Sequence, residues 1–184
     1  LLNHAHVDEP FDDFARQPLL PHRLSQLGPG VTWFDFNGDG FMDILTTNGD
    51  NADYSIILKP YHGIRIFYNN GKNQFEQKYF LPVYGAQKAI PAYFDNDGDM
   101  DLYVVSGGYA LPIKDPLLQD RLYINDKGIF IKKEDAVPLE FDASSKVVSL
   151  DFDKDGDLDL LCGEFLDGFT YFENVGTRTL PQYA

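Results

Sequence analysis

An acidic nine-residue pattern occurs three times at equal spacing, and this constrains the chain more than any other feature. The copies are Asp35-Phe-Asn-Gly-Asp-Gly-Phe-Met-Asp43, Tyr93-Phe-Asp-Asn-Asp-Gly-Asp-Met-Asp101 and Asp151-Phe-Asp-Lys-Asp-Gly-Asp-Leu-Asp159. Their last aspartates, at 43, 101 and 159, are 58 residues apart each time. In such a pattern alternate side chains turn toward one centre, the glycine at position 6 permits a sharp bend, and hard oxygens suit a hard divalent cation. Each copy reads as a calcium loop.

Positions 1, 3, 5 and 9 supply side-chain oxygens and position 7 its backbone carbonyl. The expected ligands are Asp35, Asn37, Asp39, Phe41 and Asp43 in the first loop, and Asp151, Asp153, Asp155, Asp157 and Asp159 in the third. In the second, Tyr93 stands where a carboxylate is needed, which leaves Asp95, Asp97, Asp99 and Asp101. Two well-formed calcium sites and a weaker, hydrated or empty one are therefore expected. Magnesium prefers octahedral geometry and keeps several waters, so many protein oxygens favour calcium. An EF-hand does not fit, because its position 12 carries a bidentate Glu between helices. Here that position is Thr46, Val104 or Cys162, with strand-like flanks.

Around each loop the same order returns: strand, loop, strand, long connection, strand, turn, strand. Asn70-Gly71 and Asp126-Lys-Gly128 are the turn signals. The fold class is all-β, and a long period with about four strands and little helical periodicity points to a β-propeller. Blade 1 is read as 31–80, blade 2 as 89–133 and blade 3 as 145–184, with its last strand, Pro181 to Ala184, truncated. Residues 1–30 form a proline-broken lead-in that packs through Phe11, Phe14, Leu19 and Leu20, and its His4 and His6 read as solvated. Three four-stranded blades do not close a ring, so the chain reads as an arc of a larger propeller, a trimmed fragment, or a chain that closes by oligomerisation. The calcium loops fall between the first and second strands of each blade.

A net charge of −14 argues against nucleic acid or an anionic membrane as partner. Three divalent ions would bring it to −8. Cys162 is the single cysteine, so no disulfide forms within the chain. No run of 18 apolar residues is present, hence no direct membrane span is expected.

The acidic loops, with Phe67-Tyr-Asn69-Asn-Gly71, Tyr123-Ile-Asn125 and Phe172-Glu-Asn174-Val-Gly176, resemble the FG-GAP/VCBS repeat family of integrin-α-like propeller blades. Pro18-Leu-Leu-Pro21, Ser25-Gln-Leu-Gly28 and Gln119-Asp-Arg-Leu-Tyr123 further resemble bacterial ASPIC/UnbV-type relatives. The resemblance implies a calcium-stabilised module, extracellular or at the cell surface, bacterial outer surface or periplasm included. Its partner would be a protein, a glycan or other subunits of a surface assembly. Trp33 and Phe34 depart from it, since small residues usually precede the first aspartate.

Recognition is expected in the connections that do not repeat, 48–62 and 107–119, where Tyr54, Tyr61, His62 and Tyr109 form a possible ligand face. No nucleophile elbow, phosphate loop or zinc motif is found, so the reading leans away from an enzyme. The alternative is the propeller part of a carbohydrate-active enzyme, for which Asp53, Asp115, Glu164 and Asp167 are the acidic residues outside the loops.

Overall fold

The computed structural model describes residues 30–47, 63–83, 85–106, 116–139, 144–164 and 168–184. Among the described residues eleven strands form three antiparallel sheets, each a meander in which neighbours in sequence are neighbours in space. The first holds β1 (Val31–Phe34), β2 (Asp43–Thr46), β3 (Ile64–Asn69) and β4 (Phe75–Leu81). The second holds β5 (Ala86–Ala92), β6 (Asp101–Ser106), β7 (Arg121–Asp126) and β8 (Ile129–Lys132). The third holds β9 (Ser144–Leu150), β10 (Asp159–Glu164) and β11 (Phe169–Phe172). Among the described residues the helical content is one 3-10 turn at Pro116–Leu118. These sheets are blades of a β-propeller arc, with the acidic loops between the first and second strands of each.

Two local expectations change. The third sheet has three strands, and Pro181 to Ala184 contributes one isolated bridge, Tyr183 to Asn174, rather than a fourth strand. Its backbone is divided between two blades: Glu173 N–H donates to the Ala184 carbonyl, whereas Tyr183 N–H donates to Ala136, beyond the second sheet. The Asn70-Gly71 turn is also longer than a two-residue hairpin, because Asn70 N–H reaches the Gln74 carbonyl and closes a loop over 70–74. The tight turn lies in the second blade, where Lys127 and Gly128 have φ of 51° and 92°. Both central residues at positive φ match the twist of the strands they join.

The strands bury both faces because each blade is stacked on the next. In β6, Leu102 and Val104 enter a cluster with Leu45, Ile64, Ile66 and Leu81 of the first blade. Tyr103 and Val105, one residue on in the alternation, enter a second cluster with Val147, Leu160, Cys162 and Phe172 of the third. This is why β6 reads as a continuous apolar run. Contacts between blades concentrate at the first strands, β5 packing on β1 and β2, and β9 on β5 and β6. Thr32 Oγ1 donates to the Ala89 carbonyl and Thr47 Oγ1 to that of Gln87, so hydrogen bonds also cross the first interface. A Cβ on Gly30 would stand 2.5 Å from that same Gln87 oxygen, which ties the glycine to close backbone approach. The bulky pair before the first loop divides by face: Phe34 packs on the first cluster, and Trp33 stays outside, edge-on to Phe75.

Leu102 lies at the middle of this stack and is fully buried, whereas Ile129 is exposed at the edge. Leu102→Ala should cost roughly 2–5 kcal/mol, with Ile129→Ala within about 0.5 kcal/mol of the parent, as read from urea midpoints.

Candidate metal centre

The three loops share one backbone. Position 6 is at positive φ in each, Gly40 at 86°, Gly98 at 101° and Gly156 at 98°. A Cβ on Gly40 or Gly98 would meet nothing within 4 Å, so conformation and not space selects glycine there. Position 4 is left-handed as well, at Gly38, Asn96 and Lys154. Two left-handed residues flanking position 5 wrap the loop around its side chains.

Position 9 is where the loop enters the fold. Asp43, Asp101 and Asp159 each begin a second strand and are buried. One oxygen of each accepts the N–H of position 2: Phe36 at 2.9 Å, Phe94 at 2.8 Å and Phe152 at 2.9 Å. The other accepts an N–H from the following part of the blade: Asn69 at 2.8 Å, Asn125 at 2.8 Å and Asn174 at 2.9 Å. One carboxylate thus ties the start of the loop to the end of the third strand or the residues just after it. The asparagines complete the tie in the first two blades, where Asn69 Nδ2 donates to the Met42 carbonyl and Asn125 Nδ2 to that of Met100. Their side-chain oxygens accept Gly71 and Gly128 N–H from the turn beyond, and Asn174 accepts Gly176.

The outer positions differ between copies. In the third loop Asp151, Asp153 and Asp155 bring ligand oxygens within 4.8 Å of one another, the only such trio of His, Cys, Asp or Glu among the described residues. Beside it Asp157 is 6% exposed, and its Oδ1 has no hydrogen-bond partner. In the first loop Asp35 accepts Asp39 and Gly40 N–H, and Asn37 Nδ2 donates to Asp39. In the second, Asp99 accepts Lys127 N–H from the β7–β8 turn, and Tyr93 is exposed. The second loop therefore lacks the trio that the third has.

Burial and crowding push these carboxyls the same way. Asp101 is pushed up to about 6, burial outweighing the N–H groups of Asn125, Asp95 and Phe94 that favour its charge. Asp43 is raised by burial and then by Asp39 and Asp35; Asp157 is raised by burial and then by Asp155, Asp159, Asp153 and Asp151. Such groups are short of positive charge, and a divalent cation is what they can accept. The donor chemistry, oxygen throughout with a buried unpartnered carboxylate oxygen, fits calcium.

Tyr54, Tyr61, His62 and Tyr109 lie outside the described residues, as do the lead-in to residue 29, Asp53, Asp115, Asp167 and the side chain of Glu164. The residues that spacing alone did not assign are Asn69, Asn125 and Asn174. Their signal was present, since each ends an apolar third-strand segment and precedes a glycine within three residues, but it reads equally well as turn chemistry.

A family model described as FG-GAP-like repeat matches residues 94–162. The chain carries an FG-GAP-like repeat. The match runs from the second loop, across β6 to β9, through the third loop to β10. It therefore spans a complete interval between two loops. No curated protein matches the chain. The FG-GAP-like repeat and the three meanders together make this a β-propeller-like module, and among the described residues no helix is long and apolar enough to cross a membrane.

Two outcomes are expected of the metal-free protein. Asn125→Ala should lower stability by about 1–3 kcal/mol in chelator, because the Met100 carbonyl and the Gly128 N–H lose their side-chain partner while the backbone N–H to Asp101 remains. The pH dependence follows from the raised carboxyls. A folded-state value above the unfolded one means that the native protein holds the proton longer. This contribution is full below the ordinary value of 3.8 and is lost as pH rises through about 6 for Asp101. The urea midpoint in chelator should fall between those pH values, and Asp101→Asn should flatten the fall.

Proposed function

We propose that the protein is a calcium-stabilised propeller module of an extracellular or cell-surface protein, serving protein or glycan binding or structural support. The observation that carries this is the convergence of Asp151, Asp153 and Asp155 beside the unpartnered Asp157 oxygen, on a loop backbone that recurs in each blade. When bound, the cation supplies positive charge to carboxylates that are otherwise crowded and desolvated. Asp151, Asp153, Asp155 and Asp159 would hold it in the third loop, with the Asp157 carbonyl; Asp35, Asn37, Asp39 and Asp43, with the Phe41 carbonyl, would do so in the first. Asp95, Asp97, Asp99 and Asp101 form the weaker site, because Tyr93 removes one carboxylate.

The role of such an ion is structural. Position 9 already joins loop to strand in each blade, so a cation that draws the other ligands onto it fixes the same joint more firmly. Recognition falls to surfaces beside the loops. A groove of about 370 Å³ lies next to the first, lined in part by Asn37, Asp39, Tyr68, Phe75, Glu76 and Lys78. Aromatic rings among amide and carboxylate groups are the chemistry a glycan or polar peptide needs.

Calcium at about 100 times its dissociation constant should add about 2.7 kcal/mol per linked site, raising the melting temperature over that in chelator. An unchanged midpoint would falsify the structural role of the ion. By calorimetry, Asp155→Asn should abolish one tight binding event, while Asp97→Asn leaves the tight events intact.

A further inference from the structure

Asparagine followed by glycine occurs at 37–38, 48–49 and 70–71, and the middle pair lies outside the described residues. In such a pair the glycine nitrogen can attack the asparagine side-chain carbonyl carbon, because no Cβ on the glycine stands in the way. The fold treats the two described pairs oppositely. Gly71 N–H is held by Asn69 Oδ1 at 3.1 Å, and a Cβ on Gly71 would stand 2.7 Å from the Phe41 ring. Asn70 is fixed as well: its Nδ2 donates to Gln74 Oε1 at 2.8 Å, and its Oδ1 accepts Lys72 N–H at 3.0 Å. Gly38, by contrast, is exposed at φ 72°, and a Cβ there would meet nothing within 4 Å. Hydrogen bonds within the first loop use the N–H groups of residues 36, 39, 40 and 41 and leave that of Gly38 without an acceptor among the described residues.

The side chain that Gly38 would attack is exposed and already turned toward it. Asn37 Oδ1 accepts Asp39 N–H at 3.1 Å, so the amide folds back across the peptide between residues 37 and 38, and its Nδ2 donates to Asp39 Oδ2 at 2.9 Å. Asn37 is also the one place where the first loop departs from the third at positions 1, 3, 5 and 9. The pairs are Asp35 with Asp151, Asn37 with Asp153, Asp39 with Asp155 and Asp43 with Asp159. In the first loop a neutral amide donates to Asp39, whereas in the third three carboxylates converge.

We propose that Asn37 is a self-modification site, converted through attack by Gly38 into an acid that gives the first loop the carboxylate set of the third. The Gly38 nitrogen forms a bond to Asn37 Cγ, and the bond from Cγ to Nδ2 breaks. The hydrogen of the Gly38 N–H passes through water to the departing nitrogen, which leaves as ammonia, and a cyclic imide remains. Water then opens the imide. Cleavage between Cγ and the nitrogen gives an aspartate at position 37 on an unchanged backbone; cleavage at the Asn37 backbone carbonyl gives an isoaspartate, which lengthens the loop by one backbone atom. The net change is water taken up and ammonia released, with no oxidant or reductant. An aspartate there replaces the donor that now faces Asp39 with a second negative group, so the loop holds a divalent cation more tightly. That last consequence rests on the calcium reading of the proposed function; the conversion itself does not.

The test begins with the whole 184-residue protein held folded in chelator at physiological temperature, digested at intervals and read by mass spectrometry, with fragmentation to locate each change. Position 37 should gain the mass of an amide exchanged for an acid several-fold faster than position 70. In urea, where neither pair is held by the fold, the difference should vanish. Asn37→Gln, whose longer side chain disfavours the ring, should abolish the gain at 37. An amide that persists at 37 while 70 converts, or equal rates in the folded protein, overturns the proposal. The consequence for the ion is read by calorimetry with calcium on Asn37→Asp beside the parent. Binding at one site should tighten by about tenfold. Unchanged affinity overturns the gain in cation holding. Absence of calcium binding by both proteins overturns the calcium reading and that gain together, while the mass measurement still decides the conversion.

Discussion

The buried aspartate at position 9 is the interaction on which each blade depends. Asp43, Asp101 and Asp159 begin the second strand, accept an N–H from the loop's second residue and accept another from the asparagine after or at the end of the third strand. Two points of one loop, seven residues apart, and a segment 15 to 26 residues further on meet on two oxygens. Removing the carboxylate would leave two N–H groups unpaired in each blade, both of them buried in the first two, a larger loss there than the hydrogen bonds themselves. The glycine at position 6 and the left-handed residue at position 4 serve this meeting, since they turn the chain back to the point where position 9 begins the strand.

The cation reading grows from the same joint. A carboxylate that is already buried and oriented is a preorganised ligand, and what remains is to collect the outer oxygens. In the third loop they have converged; in the first they are engaged with loop N–H groups; in the second, Asp99 is drawn to the neighbouring turn. Burial raises Asp101, and neighbouring carboxylates add to burial at Asp43 and Asp157. The crowding of desolvated negative charge is thus a property of the fold itself.

Much of the fold was legible because a period of 58 residues and the strand–loop–strand order are both written in local sequence. Apolar runs such as Leu102-Tyr-Val-Val105 announced burial on both faces, and the structure divides them between two clusters as alternation requires. Less legible were features set by partners distant in the chain. That Tyr183 would pair with Ala136, and so spoil a fourth strand, depends on how two blades meet. The role of Asn69, Asn125 and Asn174 depends on the carboxylate 26, 24 or 15 residues earlier, which no local turn rule contains. Lys154 at a left-handed position shows the reverse: loop geometry imposes a conformation that the residue's own preference would not select.

Strand β6 belongs to two cores at once, and this sets how the molecule comes apart. Either outer blade can loosen while β6 keeps one of its faces covered, but β6 itself cannot open without dissolving both clusters together. The middle blade is therefore the last cooperative unit to yield, and its amides report global rather than local opening. Stacked arrays distribute stability in this way, through shared walls rather than through a single centre.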